Sequence, residues 1–351
     1  MKLGIIGLEQ SGKTTVFNAL TGAHKQVGAV GKIEEHIAMV KVPDERLDWL
    51  SNLYTPEKTT HTDIEFVDIP GSINDSSDAK IIANARVVDA FVFVVRAFEN
   101  PNVAHPLGNI DPLRDYQQIK TGLIVADMII AEKRMEKLEK PISKGSASPE
   151  EKLEFSAIEK IMKKLEEELP GSEADLTDQE EKIMRSFQFL TLKPYFTLLN
   201  VSDDALKSKE TIELTKKIPN SMPMSASMEM EIRELEEKDR KAFLDDLGIK
   251  ELSLNTFIRK AYETLDYISF FTVGPTDVRA WTIKKGTTAM HAAGKIHTDM
   301  ERGFIRAEVI AYDDLKAAGS EREVKHAGKM RLEGKDYIVK DGDILIIKFS
   351  V

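Results

Sequence analysis

Apolar residues fall into short continuous runs through the first 270 positions, interrupted by two long stretches of helical period, and into alternating runs after that. Residues 3–6, 37–42, 63–68, 90–95 and 195–199 read as strands. The runs AFVFVV and YFTLL are almost wholly apolar, as expected of parallel strands covered by helices on both faces. A shorter strand over 222–224 leads into Ser225-Ala226-Ser227. Between 95 and 195, Ile124, Met128, Met135 and Leu138 share one helical face. Phe155, Ile158, Met162, Leu165 and Leu169 share another, at steps of three and four. The Pro- and Ser-rich break at 141–149, with Ser148 as N-cap before Pro149, predicts a helical hairpin, an antiparallel coiled coil inserted in an α/β domain. At about 1.5 Å per residue its first arm would project roughly 35–40 Å. Its apolar stripe is either the seam between its own arms or a partner-binding surface. A helix over 252–265 and strands over 269–273, 278–283 and 343–349 then predict an α+β module of about eighty residues. Phe270, Phe271 and Trp281 are expected in its core rather than as base-stacking residues.

The first strand runs into Gly7-Leu8-Glu9-Gln10-Ser11-Gly12-Lys13-Thr14, which spells G-x-x-x-x-G-K-[ST], and apolar Val16, Phe17 and Leu20 follow as a helix. A phosphate chain needs clustered backbone N–H groups and a helix N-terminus behind them, a lysine for the β/γ-phosphates and a hydroxyl for Mg²⁺. This P-loop predicts that Gly7, Gln10, Ser11, Gly12, Lys13, Thr14 and Thr15 cradle a nucleotide, with Lys13 an exposed loop side chain. Asp68-Ile69-Pro70-Gly71 closes the strand over 63–68, 55 residues after Lys13, where a P-loop enzyme places a Mg²⁺-holding aspartate. Lys13, Thr14 and Asp68 are therefore the expected catalytic set, Thr14 and Asp68 the expected metal ligands, and Gly71 a further nucleotide neighbour.

Composition narrows the setting. A chain of 351 residues exceeds the usual single core, so two or three domains are expected. With no cysteine, disulfides, thiolate zinc sites and thiol nucleophiles are excluded, and the seven histidines show no metal spacing. The N-terminal apolar run is too short for a secretory signal and no span of about twenty apolar residues occurs, so a cytoplasmic protein without a membrane partner is expected. The net charge of −10 argues against simple electrostatic binding of nucleic acid by the whole chain, and no sequence-specific DNA binding is expected. Residues 271–351, however, carry 14 Lys/Arg against 12 Asp/Glu. The C-terminal part is thus the better candidate for an RNA backbone, with Lys284, Lys285, Lys295, Arg302 and Arg306 as phosphate neighbours.

Taken with Val42-Pro43-Asp44-Glu45-Arg46-Leu47-Asp48, Val95-Arg96-Ala97-Phe98-Glu99-Asn100, Phe189-Leu190-Thr191-Leu192-Lys193-Pro194, Ala293-Gly294-Lys295-Ile296-His297-Thr298-Asp299 and the 333–343 block, the whole chain resembles the YchF family of Obg-like P-loop NTPases. The resemblance implies a G-type domain with a mostly parallel sheet in two parts, 1–112 and 191–268, a coiled-coil insertion at 113–190 and a TGS-like domain at 269–351. It also implies binding and slow hydrolysis of ATP or GTP and association with the ribosome or RNA. Where the family reads the base with N-x-x-E, this chain has Asn200-Val201-Ser202-Asp203. Asn200, Asp203, Ser225 and Ala226 are the expected base-side residues. A carboxylate accepts from guanine N1–H and N2–H₂, so Asp203 leaves both ATP and GTP open. Lys32 stands where the family's Mg²⁺-touching threonine aligns, and after Gly71 the glycine-rich loop is shortened to 72–78, with Ile73 near the place of the water-orienting glutamine. A nucleotide-binding interaction module with little hydrolysis is the alternative to an NTPase.

Overall fold

The computed structural model describes residues 2–22, 36–71, 79–246 and 252–350; Lys32 and the segment 72–78, including Ile73, lie outside them. From the N-terminus, β1 (Lys2–Gly7) runs into α1 (Lys13–Thr21), followed by β2 (His36–Lys41), α2 (Glu45–Tyr54), β3 (Lys58–Thr60), β4 (Asp63–Asp68), α3 (Ala79–Arg86) and β5 (Ala90–Ala97). Next come α4 (Pro112–Ser143), α5 (Pro149–Glu166), α6 (Asp178–Met184), β6 (Tyr195–Val201), α7 (Lys209–Lys217), β7 (Ser221–Met224), α8 (Ala226–Glu234) and α9 (Glu237–Asp246). The remainder holds α10 (Ser253–Thr264), β8 (Tyr267–Thr272), β9 (Asp277–Lys284), α11 (Ala289–Ile296), α12 (Thr298–Arg302), β10 (Phe304–Ala311), α13 (Tyr312–Ala318), α14 (Glu321–His326), β11 (Arg331–Glu333) and β12 (Asp343–Phe349). No helix among the described residues is long and apolar enough to cross a membrane.

These elements form two compact units, and the first comprises Met1–Val40 and Glu65–Phe257. Its sheet has the order β2-β4-β1-β5-β6-β7, with parallel ladders from β4 through β7. Phe91, Phe93 and Val95 of β5 pack with Ile119 and Leu123 of α4, while Phe66 and Phe196 meet Phe257. Burial on both faces is why β5 and β6 read as unbroken apolar runs. Within the helical arm, Ile124, Ala131 and Leu138 of α4 pack with Ile158, Ile161 and Leu165 of α5. The stripe is thus the seam between the arms. Ser148 and Glu151 form a reciprocal capping box at the start of α5. Helix α4 runs 32 residues, about 48 Å, longer than expected: it starts at Pro112 and continues through Pro141, which sits inside its last turn.

The arm is anchored at its base by a buried carboxylate. Asp127, 0% exposed, accepts from the Leu190 N–H at 2.9 Å and from the N–H and hydroxyl of Thr191 at 2.7 Å each. Two residues on, Lys193 Nζ donates to the carbonyls of Ala85 (3.2 Å), Arg86 and Val88 (2.7 Å), closing the C-terminal end of α3. Burial lowers the Lys193 pKa to about 8.

The second unit comprises Lys41–Ile64 and Ile258–Val351, with sheet order β11-β10-β12-β8-β9-β3. Residues 41–64, expected inside the first NTPase segment at 1–112, instead complete this C-terminal module. Leu47 and Leu50 of α2 pack with Phe271, Val278 and Ile344, and β3 extends the sheet alongside β9. Arg46 binds Asp44 at 2.9 Å and Asp341 at 2.7 Å, fixing α2 to the turn before β12. Phe270 and Phe271 are fully buried as expected; Trp281 is only half-buried, under the Arg279 guanidinium at 4.0 Å. The basic residues do not form one cluster. Lys284 pairs with Tyr267 at one end of the sheet, whereas Arg306 pairs with Lys348 four residues past the Ile344–Phe271 pair, at the other. Along the strands that is roughly 25 Å apart.

Candidate nucleotide site

The loop between β1 and α1 is shaped by close backbone approach. A Cβ on Gly7 would lie 2.4 Å from the Val94 carbonyl oxygen, and one on Gly12 only 2.2 Å from Asn200 Nδ2. Gly12 also takes φ 92°, and Gln10, though not glycine, takes φ 59°. Such conformations cost non-glycine residues about 1–2 kcal/mol and gather in binding loops. Here they turn the chain over the C-terminal end of β1 and start α1 beneath it.

Lys13, expected to be exposed, is buried at 8% exposure and curls onto its own loop. Its Nζ donates to the Gly7 carbonyl at 3.1 Å and the Leu8 carbonyl at 2.7 Å. Burial lowers its pKa to about 8, against the opposing pull of Asp68 and Glu9. Beside it, Thr14 Oγ1 donates to Asp68 Oδ2 at 3.2 Å, so the P-loop hydroxyl and the carboxylate closing β4 do meet. Asp68 is buried, and Gly71, at φ 88°, turns the chain away just after it.

The folded pKa of Lys13 lies below the ordinary 10.5. The unfolded chain therefore binds more protons between about 8 and 10.5, and this group adds stability as pH rises through that window. Phosphate favours the charged ammonium, so binding above pH about 8 must take up a proton. Triphosphate affinity should fall as pH rises past about 8, approaching tenfold per unit. A profile by calorimetry that stays flat from about pH 7 to about 9.5 would place Lys13 away from the phosphates.

On the other side of the loop, Asn200 at the end of β6 donates to the Ser11 carbonyl at 3.1 Å and accepts from the Ala226 N–H at 3.2 Å. It thereby ties the P-loop to the start of α8. Ser225 N-caps α8 through Met228 N–H and also donates to Asp203 Oδ1, which receives a second hydroxyl from Ser227 at 3.4 Å. The residues singled out in sequence, from Gly7 to Thr15, Asp68, Gly71, Asn200, Asp203, Ser225 and Ala226, all lie in the first unit, around the ends of β1, β4, β6 and β7. Two neighbours are not singled out by pattern. Ser227 is one. The other is Arg96, buried at the end of β5 and paired in register with Asn200. Its guanidinium donates to the carbonyls of Phe98 (3.1 Å) and Val103 (2.9 Å) and lies 4.8 Å over the Phe98 ring. A cation ending a wholly apolar strand was the available signal.

Comparison with known proteins gives this geometry a family. A family model described as "50S ribosome-binding GTPase" matches residues 2–130, and the YchF-GTPase_C model, described as a protein of unknown function, matches 267–350. The whole chain is 42% identical to the "Ribosome-binding ATPase YchF" of Haemophilus influenzae and covers 99% of it. The chain belongs to the YchF family. The Bacillus subtilis YchF is 39% identical, with 99% of each chain covered. The solved structure of the Schizosaccharomyces pombe YchF GTPase is 33% identical and superimposes with a TM-score of 0.86, covering 99% of this chain and 97% of that one. The P-loop α/β domain, the helical arm and the C-terminal α+β unit are therefore a YchF architecture.

Proposed function

We propose that this YchF-family chain is a P-loop NTPase that binds a purine nucleoside triphosphate with Mg²⁺, hydrolyses it slowly and docks on the ribosome according to nucleotide state, in the cytoplasm. The observation that carries this reading is the Thr14–Asp68 contact of 3.2 Å beside the buried Lys13. Lys13 would neutralise charge on the β/γ-phosphates, and the backbone N–H groups from Gln10 to Thr15 would cradle them. Thr14 and Asp68 are two hard oxygen donors side by side, a set suited to Mg²⁺. Bound there, Mg²⁺ would neutralise charge across the β- and γ-phosphate oxygens. Slow turnover is supported by Lys32 and Ile73: an ammonium repels the cation that a threonine would hold, and an alkyl chain cannot orient water.

Relatives bearing the name ribosome-binding ATPase support the docking step. It is tested by co-sedimentation of the full chain with ribosomes across a salt series, with and without nucleotide. Contacts to RNA phosphates release counterions, so retention should fall steeply with salt. Because the basic residues lie at two ends of the C-terminal sheet, Lys284→Glu/Lys285→Glu and Arg306→Glu/Lys348→Glu are compared separately. The end that docks is the one whose reversal weakens retention without altering nucleotide affinity. Retention identical in the presence and absence of nucleotide would contradict the proposal.

A further inference from the structure

The loop between β1 and α1 carries a carboxylate, Glu9, to which no role has fallen so far. We infer that Glu9 makes the site select by phosphate count, holding a nucleoside diphosphate more tightly than the triphosphate; this rests on the nucleotide-binding reading above. Glu9 is exposed and takes no hydrogen bond or ion pair from any described residue. The Leu8 carbonyl, joined to the Glu9 nitrogen by one peptide bond, accepts from Lys13 Nζ at 2.7 Å. Glu9 therefore leaves the backbone beside the ammonium, where its negative charge is felt. The path of the chain is set on both sides of it, by the approach of Gly7 to the Val94 carbonyl and by Gln10 at φ 59°.

The two ends of the loop give the phosphate chain a direction. Asn200, on the expected base side, touches the Ser11 carbonyl at 3.1 Å, and Gly12 lies against its amide. Lys13 Nζ sits at the other end, on the carbonyls of Gly7 and Leu8. Loop amides enclose the α- and β-phosphates, while the lysine reaches on to the γ-phosphate. Glu9 thus neighbours the terminal group of a triphosphate and stands farther from both phosphates of a diphosphate. A triphosphate adds about one negative charge on the side where Glu9 already places one, and the two repel. Water and salt screen an exposed carboxylate, so a preference of roughly three- to tenfold is expected. Hydrolysis then leaves the tighter ligand in place, and release of the diphosphate adds a further brake on turnover.

The test uses the full chain with Mg²⁺ and fluorescent diphosphates and non-hydrolysable triphosphates of adenosine and guanosine, for wild type and Glu9→Gln. Wild type should bind the diphosphate of each base more tightly than the triphosphate. Glu9→Gln keeps the shape and removes the charge, so triphosphate affinity should rise roughly three- to tenfold while diphosphate affinity moves less than about twofold. Added salt should narrow the wild-type gap and leave the variant's alone, which a mere change of loop shape would not do. Equal or tighter triphosphate binding by wild type overturns the inference. So does a Glu9→Gln variant that binds triphosphate no better, or more weakly, since the carboxylate would then be neutral to the phosphates or help to hold them. The wild-type comparison requires no variant and decides the matter if Glu9→Gln fails to fold. Failure of wild type to bind either diphosphates or triphosphates would instead bring down the P-loop reading, and the preference with it.

Discussion

Replacing Lys13 with alanine should lower triphosphate affinity by at least about a hundredfold while leaving thermal unfolding nearly unchanged. Each charge-assisted hydrogen bond to a phosphate is worth about 1.5–3 kcal/mol, and one ammonium reaches two phosphate groups. Its own carbonyl contacts at Gly7 and Leu8 are the competing state, so part of that gain is already offset in the unliganded chain. Stability moves the other way. A lysine whose pKa has fallen to about 8 is held charged at neutral pH against the cost of burial, and alanine removes that cost. Two loop carbonyls lose their donor in exchange. Calorimetric titration with ATP and GTP, paired with melting of both proteins, separates these effects. Unchanged affinity for both triphosphates would remove the P-loop from the mechanism, whereas a collapse in melting temperature would show that Lys13 holds the loop together.

The nucleotide-binding core was legible because each signal there is local. Buried parallel strands betray themselves as unbroken apolar runs, and the P-loop needs residue types at fixed spacing that chance seldom supplies. The arm was legible for the same reason: its seam repeats every three or four residues, and Ser148-Pro149 caps its second helix. Residues 41–64 were not. Helix α2 buries Leu47 and Leu50 against strands more than 200 residues away, and β3 is three residues long. Neither carries a periodic signal strong enough to say which core it joins. The strands β10 and β11 were missed because exposed Ile305 and Leu332 blur the alternation. At the candidate site, sequence singled out residues that the fold gathers in the first unit, but not their states. Burial of Lys13, the bracing of Asp203 by Ser227 and the separation of Lys284 from Arg306 depend on which strand lies beside which, and that is decided by the sheet order.

The second large effect is expected far from the phosphates. Asp127→Ala should destabilise the base of the helical arm by about 3–5 kcal/mol, because three donors lose one buried carboxylate together. The N–H groups of Leu190 and Thr191 lie in the 3₁₀ turn Leu190–Leu192, where neighbouring backbone cannot replace the acceptor. Burial holds the Asp127 carboxyl above the usual range, even against the opposing pull of the three donors and the charge of Arg86. Asp127→Asn tests whether charge or shape matters: its single amide oxygen cannot serve both N–H groups and the hydroxyl equally, so it should recover only part of the loss. The chain forms two compact units, and one global melting midpoint does not say which part of them has loosened. Hydrogen exchange resolves the region instead. Protection should fall around Leu190, Thr191 and the middle of α4, while β1 and β5 keep theirs and nucleotide affinity changes little. Since Lys193 joins the same turn to the end of α3, exchange in α3 should rise as well. If α3 stays fully protected while the arm loosens, the turn is a local clasp and not a link between the arm and the helix that follows Gly71.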